Sequence, residues 1–232
     1  RSIVHVASVT AVQMLDESVG YLRIEQFNDP TASEFHKAMG KLVDKQLAKS
    51  VIIDLRSNPG GLLISAVEIC SHFVPNDEVI VFTKGRKGNI VSRYKSQRKR
   101  KFKDLFLVLL LDGNSASASE VMASCLKDYK RAIIVGEQSY GKGSVQTIMR
   151  LKDGSSIRFT SARYFTPSER AIDGVGLSPD LEVKITKEEK GLIYKHFQYE
   201  TLQLDEDKQL QKALEAIKGE TPKSTLSKEA QS

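Results

Sequence analysis

A chain of 232 residues with 40% hydrophobic residues is long enough for one domain with a sizeable core, or for a domain plus an appendage, and too apolar to be mostly disordered. Its net charge of +6 admits an acidic partner, but much of the excess lies in one short run, Arg98-Lys99-Arg100-Lys101-Phe102-Lys103, which reads as a solvated edge and not as a nucleic-acid patch. Two cysteines, Cys70 and Cys125, each within an apolar helical pattern, argue against a disulfide framework and a thiol metal site and read as buried free thiols.

In chain order, Ile3 to Val6, Val9 to Val12 and Gly20 to Ile24 read as strands. Asn28-Asp29-Pro30-Thr31 predicts the cap of a helix with an apolar face of Phe35, Met39, Leu42, Val43 and Leu47. Val51 to Leu55 is a short buried strand. A Pro-Gly-Gly turn follows, then a helix carrying Leu62, Leu63, Ala66, Val67 and Cys70 at helical spacing. Val79 to Phe82 and Ile90-Val91 bracket Lys84-Gly85-Arg86-Lys87-Gly88, the pattern of a hairpin. Phe106 to Leu111 is apolar throughout, as in a central strand covered on both faces. It is far shorter than the ~20 residues a bilayer span needs. Ser117 to Lys130 is a helix and Ala132 to Val135 another buried strand.

After Gly143 the pattern turns to short strands with turns such as Lys152-Asp153-Gly154, and residues 205–218 form a charged amphipathic helix with Leu210, Leu214 and Ile217 on one side. The last dozen residues read as a mobile tail. No internal repeat is visible. Strands alternating with helices, flanked by strand-rich ends, give an α/β or mixed α+β class. The chain opens on Arg1-Ser2-Ile3-Val4 with neither initiator methionine nor signal peptide, so a mature form or excised fragment is expected.

Two segments carry candidate chemistry. In Leu111-Asp112-Gly113-Asn114-Ser115-Ala116-Ser117-Ala118-Ser119-Glu120, a buried strand gives way to small residues and then a helix. A hydroxyl there meets the outward-pointing amides of a helix N-terminus, which can hold an oxyanion. The same residue types also make an ordinary capping box. The second segment, Gly136-Glu137-Gln138-Ser139-Tyr140-Gly141-Lys142-Gly143-Ser144-Val145-Gln146, sets a lysine between two glycines after a buried strand. A lysine activates a serine only when its amine is neutral, and burial favours that form. A phosphate-binding loop is disfavoured, because the first glycine of that signature is misplaced and no helix follows; a basic turn stays open. His5, His36, His72 and His196 all lie outside small-residue or glycine-rich contexts, and no paired-histidine spacing exists, so neither a histidine base nor a metal site is expected. A serine nucleophile would need another base, as in Ser–Lys variants.

Taken with Ile52-Ile53-Asp54-Leu55-Arg56-Ser57-Asn58-Pro59-Gly60-Gly61 before them and Ala162-Arg163-Tyr164-Phe165-Thr166-Pro167-Ser168 after, these segments occur in an order that resembles the carboxyl-terminal processing peptidases, or tail-specific proteases, over roughly residues 1 to 185. The resemblance implies a ClpP/crotonase-like core with a strand-rich C-terminal part. It also implies a Ser117 nucleophile, a Lys142 base oriented by Gln146, and an oxyanion hole from the amides of Ala118 and of Gly60 or Gly61. No metal or cofactor is implied. Residues 1–185 would be the protease core, 186–218 a helical extension and 219–232 a tail, with a PDZ domain expected ahead of residue 1 and absent here.

The substrates implied are proteins cut near accessible C-termini, in the periplasm or at the cell envelope for bacterial members. No nucleic acid is expected. Peripheral contact with anionic membrane, self-association and an adaptor stay open. Two other readings are weaker: a non-catalytic peptide-binding scaffold on the same fold, which the intact Ser117, Lys142 and Gln146 set disfavours, and a crotonase-like acyl-CoA enzyme, for which paired carboxylates are missing.

Overall fold

The computed structural model describes residues 7–97, 101–198, 202 and 204–219. The expected strand Ile3 to Val6, the start of the basic run at Arg98 to Arg100 and the tail beyond 219 lie outside these. The main sheet contains β1 (Val9–Met14), β2 (Val19–Ile24), β3 (Ser50–Asp54), β6 (Phe106–Leu111), β7 (Ala132–Gly136) and β10 (Leu181–Glu182), in that spatial order. All neighbours run parallel except β1, which joins β2 as an antiparallel edge. A second sheet, in the order β5 (Ile90–Lys95), β4 (Val79–Gly85), β9 (Ser156–Phe165), β8 (Ser144–Arg150), is antiparallel. The mixed α/β class read from the sequence is the one observed.

The period-2 alternation of strands explains how the main sheet is covered on both faces. Leu107, Leu109 and Leu111 of β6, with Val51, Ile53, Leu22 and Ile24, face α1 (Thr31–Met39), α2 (Leu63–Cys70) and α3 (Ala118–Asp128). Val108 and Leu110, with Ile52, Tyr21 and Val135, face Leu210 and Ala213 of α5 (Lys208–Gly219). A strand buried on both sides has no polar face, which is why Phe106 to Leu111 reads as one apolar run.

The C-terminal helix is fastened by charge as well as by area. Arg56, 1% exposed, forks onto Asp54 and onto both oxygens of Asp207, with Nη1 to Oδ1 at 2.9 Å and Nη2 to Oδ2 at 2.7 Å. Asp207 in turn accepts the amide of Leu210 at 3.0 Å. Burial alone would raise the Asp54 carboxyl, but Arg56 and Arg23 more than offset it and hold it below the usual carboxylate range.

Three local readings differ from the structure. The helix predicted through Leu47 is α-helical only to Met39; Gly40–Lys45 is a π-helical turn, and Leu47 ends it with φ 61° and a 72% exposed side chain. Gly40, poor at holding α-helical backbone, opens that change of pitch. The N-cap of α1 is Pro30, inside the predicted segment, and neither the Asn28 nor the Asp29 side chain caps the helix. The Thr31 hydroxyl instead accepts the Asn28 amide at 2.7 Å and donates to the Gln26 carbonyl at 3.2 Å, tying the turn from inside the helix. The short strands expected after Gly143 are one long hairpin, β8–β9, turning at residues 151–155 where Asp153 accepts from Ser155.

Candidate active site

Adjacent parallel strands β3, β6 and β7 release three loops at their carboxyl ends, where ligands of open α/β sheets bind. These loops hold Asn58-Pro59-Gly60-Gly61, Ser115-Ala116-Ser117 and Gly141-Lys142-Gly143. The sequence motifs, scattered over almost ninety residues of chain, converge here because their strands are neighbours.

The first two loops are locked together. Asn58 donates its side-chain amide to Ile24 O at 2.8 Å, and its backbone oxygen accepts Ala116 N at 3.0 Å and Ser119 Oγ at 3.1 Å. Ser115 Oγ donates to Leu55 O at 2.8 Å. Gly60, at φ +96°, lies so close that an added Cβ would be 2.6 Å from Ala116 O and 2.7 Å from Ser117 Cβ, so only glycine fits. Its amide donates to Asn58 Oδ1 at 2.9 Å. Asp112, 1% exposed, ties the base of the serine loop: it accepts the amides of Ser57 and Asn114 at 2.9 Å and the hydroxyl of Tyr194, on α4 (Lys187–Gln198), at 2.8 Å.

Ser117 stands at the N-cap of α3 with φ 58° and ψ −114°. For a non-glycine residue this backbone costs about 1–3 kcal/mol and persists only where its surroundings impose it. Its own amide donates to Glu120 Oε2 at 2.7 Å, the glutamate half of the capping box read from the sequence. Ala118 begins the helix, so its amide is one of the N-terminal donors that have no partner within it.

Glu120 does more than cap. The side chain is fully buried, and its two oxygens accept four hydrogen bonds. Oε1 takes Ser139 Oγ at 2.5 Å and Gly141 N at 2.6 Å; Oε2 takes Ser117 N at 2.7 Å and Lys142 N at 2.8 Å. One carboxylate thus holds the backbones of both the serine and the lysine. No cation neutralises it through an ion pair among the described residues; amides and the N-terminus of α3 do so. Gly141, at φ +88°, and Gly143, where an added Cβ would sit 2.2 Å from Asp173 N, let the lysine loop lie flat against residues 173–176.

The lysine side chain itself is exposed, so the enclosing pocket expected around Lys142 is not formed by the described residues. Gln146, also exposed, donates its side-chain amide to Thr160 Oγ1 across the β8–β9 ladder at 2.8 Å. His36 and His72 stack on each other with centroids 5.4 Å apart, and His72 continues onto Phe102, as expected for packed histidines. His5 lies outside the described residues. Among the described residues no cluster of histidine, cysteine or carboxylate groups suits a metal ion.

A serine on a strained helix N-cap beside a glycine turn, on a mixed α/β sheet, is a hydrolase type of arrangement. The chain belongs to peptidase family S41, whose profile matches residues 18–183. It is 40% identical over 193 residues to a carboxy-terminal-processing protease of Bartonella bacilliformis, covering 82% of this chain and 44% of that protein. It is also 40% identical over 164 residues to a carboxyl-terminal-processing protease of Picosynechococcus, covering 71% and 39%. Among solved structures, a photosystem II D1 C-terminal processing protease superposes with a TM-score of 0.70 at 32% identity, over 78% of this chain and 49% of that one. The chain therefore spans less than half the length of these curated relatives.

Two residues that tie the site's loops together are not marked by the sequence: Glu120 reads there as a local cap and Asp112 as part of a small-residue loop. Each is an acid within a run of small residues, the one signal that could have marked them.

Proposed function

We propose that this chain is the catalytic core of a serine endopeptidase that cuts protein substrates near their C-termini through an acyl-enzyme. The observation that carries the reading is the shared carboxylate of Glu120, which draws the backbones of Ser117 and Lys142 onto one group beside the Gly60 turn. In this reading the neutral Lys142 amine takes the proton of Ser117 Oγ as the oxygen attacks the scissile carbonyl. The oxyanion is met by the Ala118 amide and by Gly61, since the Gly60 amide is already committed to Asn58. The ammonium of Lys142 then gives its proton to the leaving amine, and water, with Lys142 again as base, releases the acyl group.

Gln146 is the positioning residue for the lysine. With its amide nitrogen held by Thr160, its carbonyl oxygen is left to accept from the Lys142 amine. Because Lys142 is exposed, the neutral form needs cover that excludes water, supplied by bound substrate or by another part of the protein. The relatives' names, which describe C-terminal processing, support the substrate class. Export to the periplasm or envelope, and an adaptor or self-association, belong to the same proposal by analogy with the bacterial members.

The test is cleavage of an unfolded protein by the chain, with Ser117→Ala and Lys142→Ala beside it. Loss of cleavage in both variants, with folding retained, is the expected result. Activity surviving Ser117→Ala overturns the assignment. An inert wild type that still binds peptide favours a scaffold.

A further inference from the structure

A cavity of about 530 Å³ opens between the β4–β5 turn and strand β9, where the lining residue Thr160 accepts from Gln146. That size lies within the roughly 300–1,000 Å³ typical of small-ligand sites. Lys84, Arg86 and Arg163 line it together with Thr160, Ser161 and Phe165, and Lys84 Nζ lies 4.8 Å from the Phe165 ring centroid.

The cations are arranged at a cost. Lys84 and Arg163 are direct cross-strand partners in the antiparallel β4–β9 ladder, a placement that disfavours like charges. Each has one acid at its side: Lys84 Nζ lies 3.1 Å from Glu169 and Arg163 Nε 2.7 Å from Asp173. An ammonium has three donors and a guanidinium five, so both retain donors after these contacts. Three cations thus line the cavity, two of them with an acid at their side, and Arg86, in the turn, has no ion-pair partner among the described residues.

Its position ties it to the candidate active site. Arg163 is paired with Ser144 and Ala162 with Val145 in the β8–β9 ladder, so the lining strand is the immediate neighbour of the strand that Lys142 leads into. A peptide bound at Ser117 and Lys142 and extending along these strands would place its next residues over the cavity.

We propose that this cavity is an anion subsite that takes a carboxylate of the peptide segment beyond the scissile bond, either the terminal carboxylate or an acidic side chain. The inference rests on the peptidase reading for its substrate class. Arginine and lysine donors converging in a concave, partly aromatic site suit one compact carboxylate with charge-assisted hydrogen bonds. A nucleic-acid backbone would instead be tracked by cations spread along a groove.

The test uses the non-cleaving Ser117→Ala protein and fluorescence anisotropy with three labelled, unstructured peptides. One has a free C-terminus and no acidic side chain, the second is its C-terminal amide, and the third is an amide carrying an aspartate near its end. At low salt the free carboxylate is expected to bind roughly tenfold tighter than the plain amide. Arg86→Gln should erase that difference, while Arg86→Lys should keep most of it. Recovery of tight binding by the aspartate amide assigns the subsite to side-chain carboxylates; its absence assigns it to the chain terminus.

Equal binding of all three peptides, or a preference unchanged by Arg86→Gln, overturns the proposal. So does a single-stranded oligonucleotide that binds tighter than any peptide and is released by Arg86→Gln. The two readings fail separately. Cleavage by the wild type without a carboxylate preference sinks the subsite alone. A carboxylate preference in a chain that cleaves nothing sinks the peptidase reading alone.

Discussion

Replacing Glu120 by glutamine changes one oxygen of a buried carboxylate that holds four donors, and either orientation of the new amide loses contacts. With its nitrogen toward Ser117 and Lys142, two backbone N–H groups face an N–H₂ group. With its nitrogen toward Ser139 and Gly141, the hydroxyl, which already accepts Leu177 N, can turn to accept from it as well, so its proton must find another acceptor and the buried Gly141 amide is orphaned. The second orientation is cheaper. An unsatisfied buried donor costs about 1–3 kcal/mol, and the surviving bonds lose their charge assistance, so about 2 kcal/mol of stability should go. Urea unfolding reads that number as a lower midpoint at unchanged slope.

Cleavage of an unfolded protein reads the second consequence. The lysine loop loses the bond next to Lys142, and misplacement of about 1 Å in a reacting group costs roughly a hundredfold in rate. The fall should appear in kcat with little change in KM. Ser139→Ala, which leaves the carboxylate but orphans the buried Leu177 amide that the hydroxyl accepts at 2.8 Å, should cost about 2 kcal/mol and far less rate. A Glu120→Gln protein with wild-type midpoint and wild-type kcat refutes the reasoning outright. One with the lower midpoint but full kcat reduces Glu120 to a structural cap.

Gly60→Ala puts a methyl 2.6 Å from Ala116 O and 2.7 Å from Ser117 Cβ, in a backbone region that L-residues avoid, so cleavage should fall at least roughly a hundredfold with a lower melting temperature; near-normal activity would mean that the turn does not bear on Ser117. Asp207→Asn weakens a buried fork to Arg56 and should cost about 3 kcal/mol in chemical unfolding, because the guanidinium stays buried with less charge to meet it; a change under 0.5 kcal/mol would show that α5 is held by apolar contact alone. The Asp54 carboxyl sits below its ordinary range in the fold, and so does that of Asp128, where hydrogen bonds from Ser168 and the Arg170 guanidinium outweigh partial burial. Their contribution is present above the unfolded carboxylate value of about 3.9 and is lost as pH falls through the lower folded values, so thermal stability should be level from pH 7 to about pH 5 and decline below pH 4. A decline beginning above pH 6 would point to other groups. Burial, with Cys70 as a hydrogen-bonding neighbour, pushes the Cys125 thiol well up, so native protein should resist iodoacetamide at both cysteines and unfolded protein should react at both; rapid native alkylation contradicts the packing of α2 on α3.

The elements that the sequence revealed are those whose side chains face a uniform environment. Phe106 to Leu111 is apolar on both faces because helices lie on both sides of β6, and the β4–β5 hairpin is marked by apolar strand starts on either side of a glycine-containing turn. The β8–β9 hairpin reads in sequence only as short strands about the Lys152-Asp153-Gly154 turn, for the opposite reason. Met149, Ile157 and Phe159 share one of its faces yet are exposed, so its apolar periodicity does not mark a core. At the candidate site, Ser117 and Lys142 were legible because small residues and glycines at strand ends are rare outside a site that backbone must approach. Glu120 was not legible as a link. Its partners at Gly141 and Lys142 are backbone amides, which every residue but proline carries, and its contact with Ser117 already satisfied a local explanation. Tyr194 was invisible likewise: its hydroxyl meets Asp112 across 82 residues, with no spacing to announce it.

That backbone character has a mechanical consequence. Glu120 fixes where the lysine loop starts, since it grips the amides of Gly141 and Lys142, but it does not touch the ammonium. The serine is held far more completely, by its strained cap, by the Gly60 contact and by the Asn58 network. In the proposed mechanism the rigid partner is therefore Ser117 on the parallel sheet, and the adjustable one is the Lys142 side chain at the root of the antiparallel hairpin. The exposed Met149 and Ile157 pair near the tip of that hairpin, with Phe159 nearer its root, so cover laid on this face must reach down to the root to remove water near Lys142. Dehydration favours the neutral amine that a serine–lysine reaction requires. In the proposed mechanism, cover that reaches the root of the hairpin and activation of the lysine are then one event.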